Sequence, residues 1–320
     1  MGVTVLEAIQ KGAEFLGRKN VESPRLHTEL LLAHLLHLPR MKLYLNFDRV
    51  LSPVETDALR ELVKRRGLRE PLQHIVGATS FCGLEMAVNR HALIPRPETE
   101  LLAELGWQFL LARQPPAGRA DAPVPADAPG DGAPRALDFG TGTGCLAIAL
   151  ATKCPHATIT ALDISAEALA LARQNAAAHQ VAERIEFLLG DGLAALNHAG
   201  NLPGGDRRTF DLILSNPPYI PSAEIATLEP EVRDFDPRAA LDGGTDGLDF
   251  YRALARQASQ FLKPEGKIML EFGDGQADAL RLLFAAELWS VEAVQADYSQ
   301  RARILVASVT RAAGDPGPAT

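Results

Sequence analysis

The chain has 320 residues, of which 47% are hydrophobic and 22% are charged, and its formal net charge is −8 at pH 7. These values are typical of a globular protein with room for two domains and a substantial core. The acidic balance disfavours a broad nucleic-acid-binding surface, although it leaves room for a local basic patch. We therefore expect no direct contact with nucleic acid.

Cysteine usage and the absence of long apolar segments indicate the cellular compartment. The three cysteines, Cys82, Cys145 and Cys154, occupy unrelated contexts without C-x-x-C spacing, which predicts neither a disulfide framework nor a metal site. The amino terminus has no basic segment followed by an apolar block, and no run of about 18 apolar residues occurs. We expect a cytoplasmic protein with no bound metal and no membrane contact.

The first part of the chain, residues 1–77, is predicted to be a helical domain. Apolar residues recur at helical spacing from Val5 to Leu16 and form a second stripe from Leu26 to Leu38. Ser52-Pro53-Val54-Glu55 is a capping box with proline at the first helical position. The shorter pattern around Cys82 and Gly83 then predicts a β-hairpin linker over residues 78–96.

From residue 97 to 310 the pattern alternates between strands and helices. Strands are predicted at 136–139, 158–162, 185–189, 211–215, 267–272, 290–295 and 302–308. No helix fits between the last two strands, so we expect a parallel sheet that ends in an antiparallel hairpin. The stretch at 114–134, rich in Pro and Ala, and the tail at 311–320 are expected to be flexible.

A glycine loop separates the first of these strands from its helix. It begins at Asp138-Phe139 and continues with Gly140, Thr141, Gly142, Thr143 and Gly144. Glycines allow a sharp turn and the close approach of a ligand to the backbone. The pattern G-x-G-x-G differs from the dinucleotide pattern G-x-G-x-x-G, and a purely structural turn is the alternative interpretation.

Acidic residues follow the next two strands. Asp163 ends the second strand, where a carboxylate can accept hydrogen bonds from both hydroxyls of a ribose. Asp191, with Gly192 beside it, follows the third strand and is a candidate partner for an adenine amino group. Each acid alone is equally consistent with a helix cap or a turn. Together with the glycine loop they favour a small nucleoside such as S-adenosylmethionine over NAD.

The loop after the fourth strand carries Asn216, Pro217, Pro218 and Tyr219. The asparagine side-chain oxygen and the carbonyl of Pro217 can both accept hydrogen bonds from a planar NH2 group, and prolines fix φ and lack a competing N–H. Tyr219 adds an aromatic wall. Taken alone, the loop is also consistent with a Pro-rich turn. Beside a cofactor site it predicts a loop that holds an amide or amino nitrogen.

These features together resemble a class I S-adenosylmethionine-dependent N-methyltransferase. More narrowly, the chain is similar to the peptide chain release factor glutamine methyltransferases along three stretches. They are REPLQHIVG at 69–77, IPRPETE at 94–100 and FDPRAALDGG at 235–244, the last followed by Asp246-Gly247-Leu248. The resemblance covers roughly residues 5–308.

The resemblance implies a helical amino-terminal domain, a hairpin linker and a seven-stranded Rossmann-like α/β methyltransferase domain. It implies S-adenosylmethionine as cofactor, and as acceptor the glutamine amide in the Gly-Gly-Gln motif of class 1 peptide chain release factors, in support of translation termination. It also gives Asn216 a cofactor contact. It implies substrate binding by Asn216, Pro217, Pro218 and Tyr219, with catalytic roles for Asn216, Pro217 and Tyr219. Where the family often has an aromatic residue, this chain has Gly192, which leaves one wall of the adenine pocket in question.

Three alternative functions and one question about the helical domain remain at this point. A DNA adenine or cytosine methyltransferase presents a similar amino group to such a loop, but the acidic balance and residues 95–100 count against it. Ribosomal-protein glutamine methyltransferases carry a different sequence at 96–100. A non-catalytic subunit is disfavoured by the intact Asn216–Tyr219 loop. The helical domain is either a docking surface for the release factor or a stabilising cap.

Overall fold

The computed structural model describes residues 2–113, 133–198 and 208–310. Most of the stretch expected to be flexible at 114–134, and the whole tail at 311–320, lie outside these residues. By its contacts the chain divides into two units. The helical unit consists of Met1–Ala78, Val88–Arg90 and Thr227–Asp236, and the sheet unit consists of Thr79–Ala87, His91–Ala226 and Pro237–Thr320.

The helical unit is built from short amphipathic helices around one apolar cluster. Its helices are α1 (Val5–Arg18), α2 (Pro24–Leu35), α3 (Arg40–Leu43), α4 (Pro53–Gly67), α5 (Leu72–Val76) and, from the later segment, α10 (Pro230–Arg233). The predicted capping box is confirmed, because Ser52 Oγ accepts from the Glu55 N–H and the Glu55 carboxylate accepts from the Ser52 N–H at 2.8 Å. Local sequence therefore determines where α4 begins.

The sheet unit contains the remaining elements. Its helices are α6 (Pro97–Ala112), α7 (Cys145–Lys153), α8 (Ala166–Ala178), α9 (Ala195–His198), α11 (Asp249–Gln257) and α12 (Ala277–Ala286). Its strands are β1 (Ala78–Phe81), β2 (Leu84–Ala87), β3 (Arg135–Phe139), β4 (Thr158–Asp163), β5 (Ile185–Leu189), β6 (Phe210–Ser215), β7 (Leu262–Glu271), β8 (Trp289–Ala296) and β9 (Ala302–Val309). The bounds place Ala78, the first residue of β1, at the end of the helical unit's first segment.

Strands β1 and β2 pair as a hairpin, and the other seven form one sheet in the order β5-β4-β3-β6-β7-β9-β8. The first five of these are parallel, while β9 runs antiparallel to both β7 and β8. The expected Rossmann-like α/β sheet with an antiparallel end is confirmed. Because β3 lies between β4 and β6, the strand order reverses there, and a crevice opens at the carboxyl ends of these strands.

One strand begins earlier than its sequence indicates. We predicted a fifth strand from residue 267, but β7 starts at Leu262, which pairs with Phe210. The register shifts before Lys267, and Glu265 takes a positive φ of 64° within the irregular stretch. Pro264 and Gly266 mask the strand in the sequence because both residues usually interrupt a ladder.

Helices cover both faces of the sheet, which explains its continuous apolar strands. Along β6 every residue is buried. Leu212 and Leu214 join the apolar cluster on one face, while Ile213 joins the cluster on the other, as the two-residue period of a strand requires. Across the described ranges, none of the helices has the length and apolar character needed to cross a membrane.

Candidate active site

A cavity of about 350 Å³ lies within the sheet unit, where strands β3, β4 and β6 end. Its lining includes residues 140–143, Asp163, residues 191–192 and residues 216–218. The structure thus brings most of the expected site residues around one space, whose size suits a small ligand. Gly144 and Tyr219 lie outside this lining.

The glycine loop is tied down by a buried carboxyl group at the end of β3. Asp138 Oδ2 accepts hydrogen bonds from Thr141 Oγ1 at 2.6 Å and from the Ala147 N–H at 3.1 Å. It therefore joins the loop to the first turns of α7. Burial raises the pKa of Asp138 to about 6, against the opposing effect of these hydrogen bonds. We assigned Asp138 no role from sequence, although an acid in an apolar strand is itself a signal.

Gly144 closes the loop and precedes α7. Its φ of 81° is in the left-handed region, which L-residues rarely adopt. A Cβ added here would lie 3.0 Å from Ala172 Cβ on α8. Both the backbone conformation and the packing of α8 therefore require glycine, and this packing sets the direction in which α7 leaves the loop.

Asp163 holds the other side of the loop. Its carboxylate accepts hydrogen bonds from the Gly142 N–H at 2.8 Å and from the Ser165 N–H at 2.9 Å, one at each oxygen. Since each carboxylate oxygen has a second lone pair, both can accept further hydrogen bonds from a ligand in the cavity. Asp191 also lines the cavity and is exposed.

The cavity wall near Gly192 is open. Gly192 has a φ of 65°, and a Cβ added there would meet nothing within 4 Å. Apolar surface comes instead from Ile164, whose side chain is 64% exposed, and from Phe250. We did not predict either residue from sequence. The position of Ile164 directly after Asp163, at the end of β4, is the signal that identifies it.

Asn216 extends from the end of β6 into the cavity lining and is half-buried. Its Nδ2 donates to Thr99 Oγ1 at 3.1 Å. Thr99 lies in the first turn of α6, within the stretch at 94–100 that the sequence singled out. Ser215 Oγ donates to the Phe139 carbonyl at 2.6 Å, which fixes the end of β6 against β3. The asparagine is thus held by neighbours on both sides.

A glycine-rich segment supports the backbone of the Asn216–Tyr219 loop. A Cβ at Gly243 would lie 2.8 Å from the Pro218 carbonyl oxygen, so only glycine permits this close approach. The Tyr219 carbonyl accepts from Gln276 Nε2 at 2.9 Å, and the Tyr219 ring packs against Gly273. Burial raises the pKa of the Tyr219 phenol. Tyr219 therefore anchors the loop from behind its cavity face.

Two charged residues in the stretches that resemble the family, 94–100 and 235–244, have partners in the structure. Arg238 pairs with the Asp242 carboxylate at 3.0 Å, within its own segment, and Asp242 lines the cavity. Glu100 accepts from the Cys82 N–H at 2.8 Å and so joins α6 to the hairpin. Both contacts organise the surroundings of the cavity.

A further carboxyl group, Glu271 at the end of β7, lies behind Asn216. It is 3% exposed, and both Thr99 and Asn216 hydrogen-bond to its side chain. Burial raises its pKa to about 7. We did not identify Glu271 from sequence because nothing local distinguishes it from any acid at a strand end.

Comparisons with known proteins show which family the chain resembles. The family described as "PrmC N-terminal domain" matches residues 7–77, and "Methyltransferase small domain" matches residues 128–228. A protein of Geobacter sulfurreducens named "Release factor glutamine methyltransferase" is 43% identical and covers 88% of each chain. Proteins of the same name from Chlorobaculum tepidum (40% identical, 93% of this chain and 94% of the relative) and Rhodospirillum rubrum (42%, 97% and 86%) are also similar. The chain therefore belongs to the release factor glutamine methyltransferase family.

Proposed function

We propose that the protein transfers a methyl group from S-adenosylmethionine to the side-chain amide nitrogen of a glutamine in class 1 peptide chain release factors. The acceptor is the glutamine of the Gly-Gly-Gln motif, and the modification supports translation termination, so the protein works in the cytoplasm. The observation that carries the proposal is one cavity lined by both the glycine loop and the Asn216-Pro217-Pro218 stretch.

The residues around the cavity fit S-adenosylmethionine. Asp163 retains acceptor capacity for ribose hydroxyls, and Ile164 supplies an apolar surface for a flat base. The loop leads into the amino-terminal end of α7, where the helix dipole favours the carboxylate of an amino acid moiety. When bound, the cofactor supplies a sulfonium methyl group that is open to attack.

Asn216 and Pro217 would bind the acceptor amide. An amide nitrogen is a weak nucleophile because its lone pair is delocalised into the carbonyl. Asn216 Oδ1 and the Pro217 carbonyl would accept its two N–H hydrogens and so orient the nitrogen. Pro218 fixes the backbone, and Tyr219, which lies outside the cavity lining, would support the loop from behind and not pack against the flat amide as the sequence suggested. Catalysis then rests on positioning and electrostatics, without a covalent nucleophile or a metal.

Separate incubations with methyl-labelled cofactor test the acceptor class. The acceptors are a class 1 release factor, the same factor with its Gly-Gly-Gln glutamine replaced, ribosomal proteins, and duplex DNA. We expect label on the intact factor only. Label on ribosomal proteins or DNA, with none on the factor, would show that one of the alternative functions is correct.

Asn216→Ala tests the site itself. Loss of one preorganised hydrogen-bonding group should lower turnover by roughly 10²–10³-fold. Asn197→Ala is a matched control, because Asn197 is exposed and does not line the cavity. A wild-type rate for Asn216→Ala on the release factor would rule out the assignment.

The helical unit is proposed to dock the release factor. A variant that lacks residues 1–77 should lose more activity on the whole factor than on a short Gly-Gly-Gln peptide. Equal losses on both acceptors would leave only a stabilising role for this unit.

A further inference from the structure

The proposed chemistry depends on which end of the Asn216 amide faces the cavity. A primary amide carries an acceptor oxygen and a donor NH2 group of nearly the same shape, and the two can exchange places by rotation about one bond. Only the orientation with Oδ1 toward the cavity can accept a hydrogen bond from the acceptor glutamine. The protein must therefore distinguish the two ends of this side chain.

Side chains from two other elements meet the Asn216 amide. Nδ2 donates to Thr99 Oγ1 at 3.1 Å, from the first turn of α6. A hydrogen bond from the Asn216 side chain also lowers the pKa of the Glu271 carboxyl group at the end of β7. The Thr99 hydroxyl in turn donates its proton to the same Glu271 side chain. Both hydrogens of Nδ2 thus have acceptors on the protein side of the site.

The reversed orientation has no comparable partners. When Glu271 is ionised, this orientation would place Oδ1 against a carboxylate that has no proton to donate. It would also place Oδ1 against Thr99 Oγ1, whose single proton is already directed to Glu271. Either Oδ1 would then face acceptors without a hydrogen bond, or Thr99 would turn its proton to Oδ1 and leave the buried Glu271 carboxylate without that donor. Both outcomes are costly in a buried setting.

We propose that Thr99 and Glu271 are positioning residues that hold the Asn216 amide with Oδ1 facing the cavity. The inference rests on the proposed function for its catalytic consequence, but the orientation itself is a property of the protein alone.

The burial of Glu271 supports a role beyond stability. The side chain is 3% exposed, and within the described residues its Oε2 has no hydrogen-bond partner. Burying a carboxylate with an unsatisfied oxygen is unfavourable, and an apolar residue of similar volume is often as stable or more so. A carboxylate is, however, the strongest available acceptor for Asn216 and Thr99.

The protonation of Glu271 makes the arrangement depend on pH. Burial and the nearby Glu98 raise the pKa of Glu271, while Arg303 and the two hydrogen bonds lower it, with a result of about 7. The phenols of Tyr219 and Tyr251 also face it, and Tyr251 donates to the Glu271 backbone carbonyl at 2.7 Å. Protonation removes the charge that favours the donor end of the amide, so kcat should fall as the pH drops through about 7.

The test uses the full chain with Thr99→Val, Thr99→Ser and Glu271→Gln, alone and combined with Asn216→Ala. Loss of one hydrogen bond in Thr99→Val should lower kcat about tenfold, and Thr99→Ser should restore it. Glu271→Gln should flatten the pH dependence of kcat around 7. Thr28→Val is the matched control, because Thr28 is fully buried in the helical unit and its hydroxyl donates to the Pro24 carbonyl of the same helix.

The double variants separate positioning from folding. If the two residues act through Asn216, then Thr99→Val and Glu271→Gln should cause no further loss once Asn216 is alanine. Losses that add in full to that of Asn216→Ala would overturn the proposal. A wild-type kcat and pH profile for Glu271→Gln would overturn it as well.

A second measurement does not require an acceptor protein. The side-chain NH2 resonances of Asn216, recorded by NMR on nitrogen-labelled protein, should titrate near pH 7 in the wild type and lose that titration in Glu271→Gln. Titration that persists in the variant would contradict the proposal, whatever the enzyme methylates. Failure of the wild-type protein to methylate any release factor would instead contradict only the proposed function.

Discussion

Replacing Gly144 with alanine tests two structural requirements at the last residue of the glycine loop. The residue has a φ of 81°, and its missing Cβ leaves room for α8. Alanine meets neither requirement. Gly83 offers a matched comparison in the hairpin turn, because its φ is 77° and an added Cβ there would meet nothing within 4 Å.

The expected magnitudes follow from these two environments. An L-residue in the left-handed conformation costs about 1–2 kcal/mol, and this applies equally to Gly144→Ala and Gly83→Ala. At Gly144 the new Cβ would also lie 3.0 Å from Ala172 Cβ and 3.1 Å from Ile148 Cδ1. Overpacking of this kind costs about 1–3 kcal/mol. Gly144→Ala should therefore destabilise the protein by about 2–5 kcal/mol, and Gly83→Ala by about 1–2 kcal/mol.

Urea denaturation of both variants gives the free energies of unfolding, provided that the m-value is unchanged. Titration calorimetry with S-adenosylmethionine gives the second readout. Gly144→Ala should weaken cofactor binding, because relief of the contact moves α7 and the loop that precedes it, whereas Gly83→Ala should not. Equal destabilisation of the two variants would refute the argument that packing against α8 constrains Gly144.

Two further predictions concern buried or paired acids. Since the folded pKa of Asp138 is about 6, above its ordinary value, the native state binds this proton more tightly than the unfolded state does. The free energy of unfolding of the wild type, measured relative to that of Asp138→Asn, should therefore rise by at most about 3 kcal/mol as the pH falls from about 7 to about 4. A difference between the two proteins that does not change with pH in urea titrations would contradict this. Glu231 behaves oppositely, because hydrogen bonds from Arg69 and Arg66 outweigh the effect of burial and lower its pKa to about 2. Glu231→Gln should lower the free energy of unfolding by at most about 3 kcal/mol at pH 7, and this difference should disappear as the pH falls from about 4.5 to about 2. The control is Glu229→Gln, whose side chain is 76% exposed and which should lower the free energy of unfolding by under about 1 kcal/mol. Equal losses in the two variants would be inconsistent with the role assigned to Glu231.

Features with a local cause could be predicted from the sequence. The capping box at Ser52 and the hairpin turn at Cys82-Gly83 depend on residues a few positions apart. The alternation of strands and helices predicted that the strands run parallel and that the sheet ends in an antiparallel hairpin, since connection length restricts how strands can pair. The glycine loop, Asp163 and Asn216 could be placed at one edge because parallel strands end together.

Features that depend on distant residues could not be predicted in this way. The segment Thr227–Asp236 groups with the helical unit, and its Glu231 pairs with Arg66 at 2.5 Å and with Arg69 at 2.5 Å. The residues of each pair are more than 160 positions apart in the chain. No propensity or period connects residues at such a separation.

The sequence by itself determined the family, the order of elements and the residue types that line the site, because these depend on motifs and on local spacing. Only the tertiary structure decided how Asn216 is held. Thr99 lies in the first turn of a helix, Asn216 follows one strand and Glu271 ends another, and no local rule brings the three together. Their hydrogen bonds exist because the sheet order places β6 beside β7, with α6 packed against both strands.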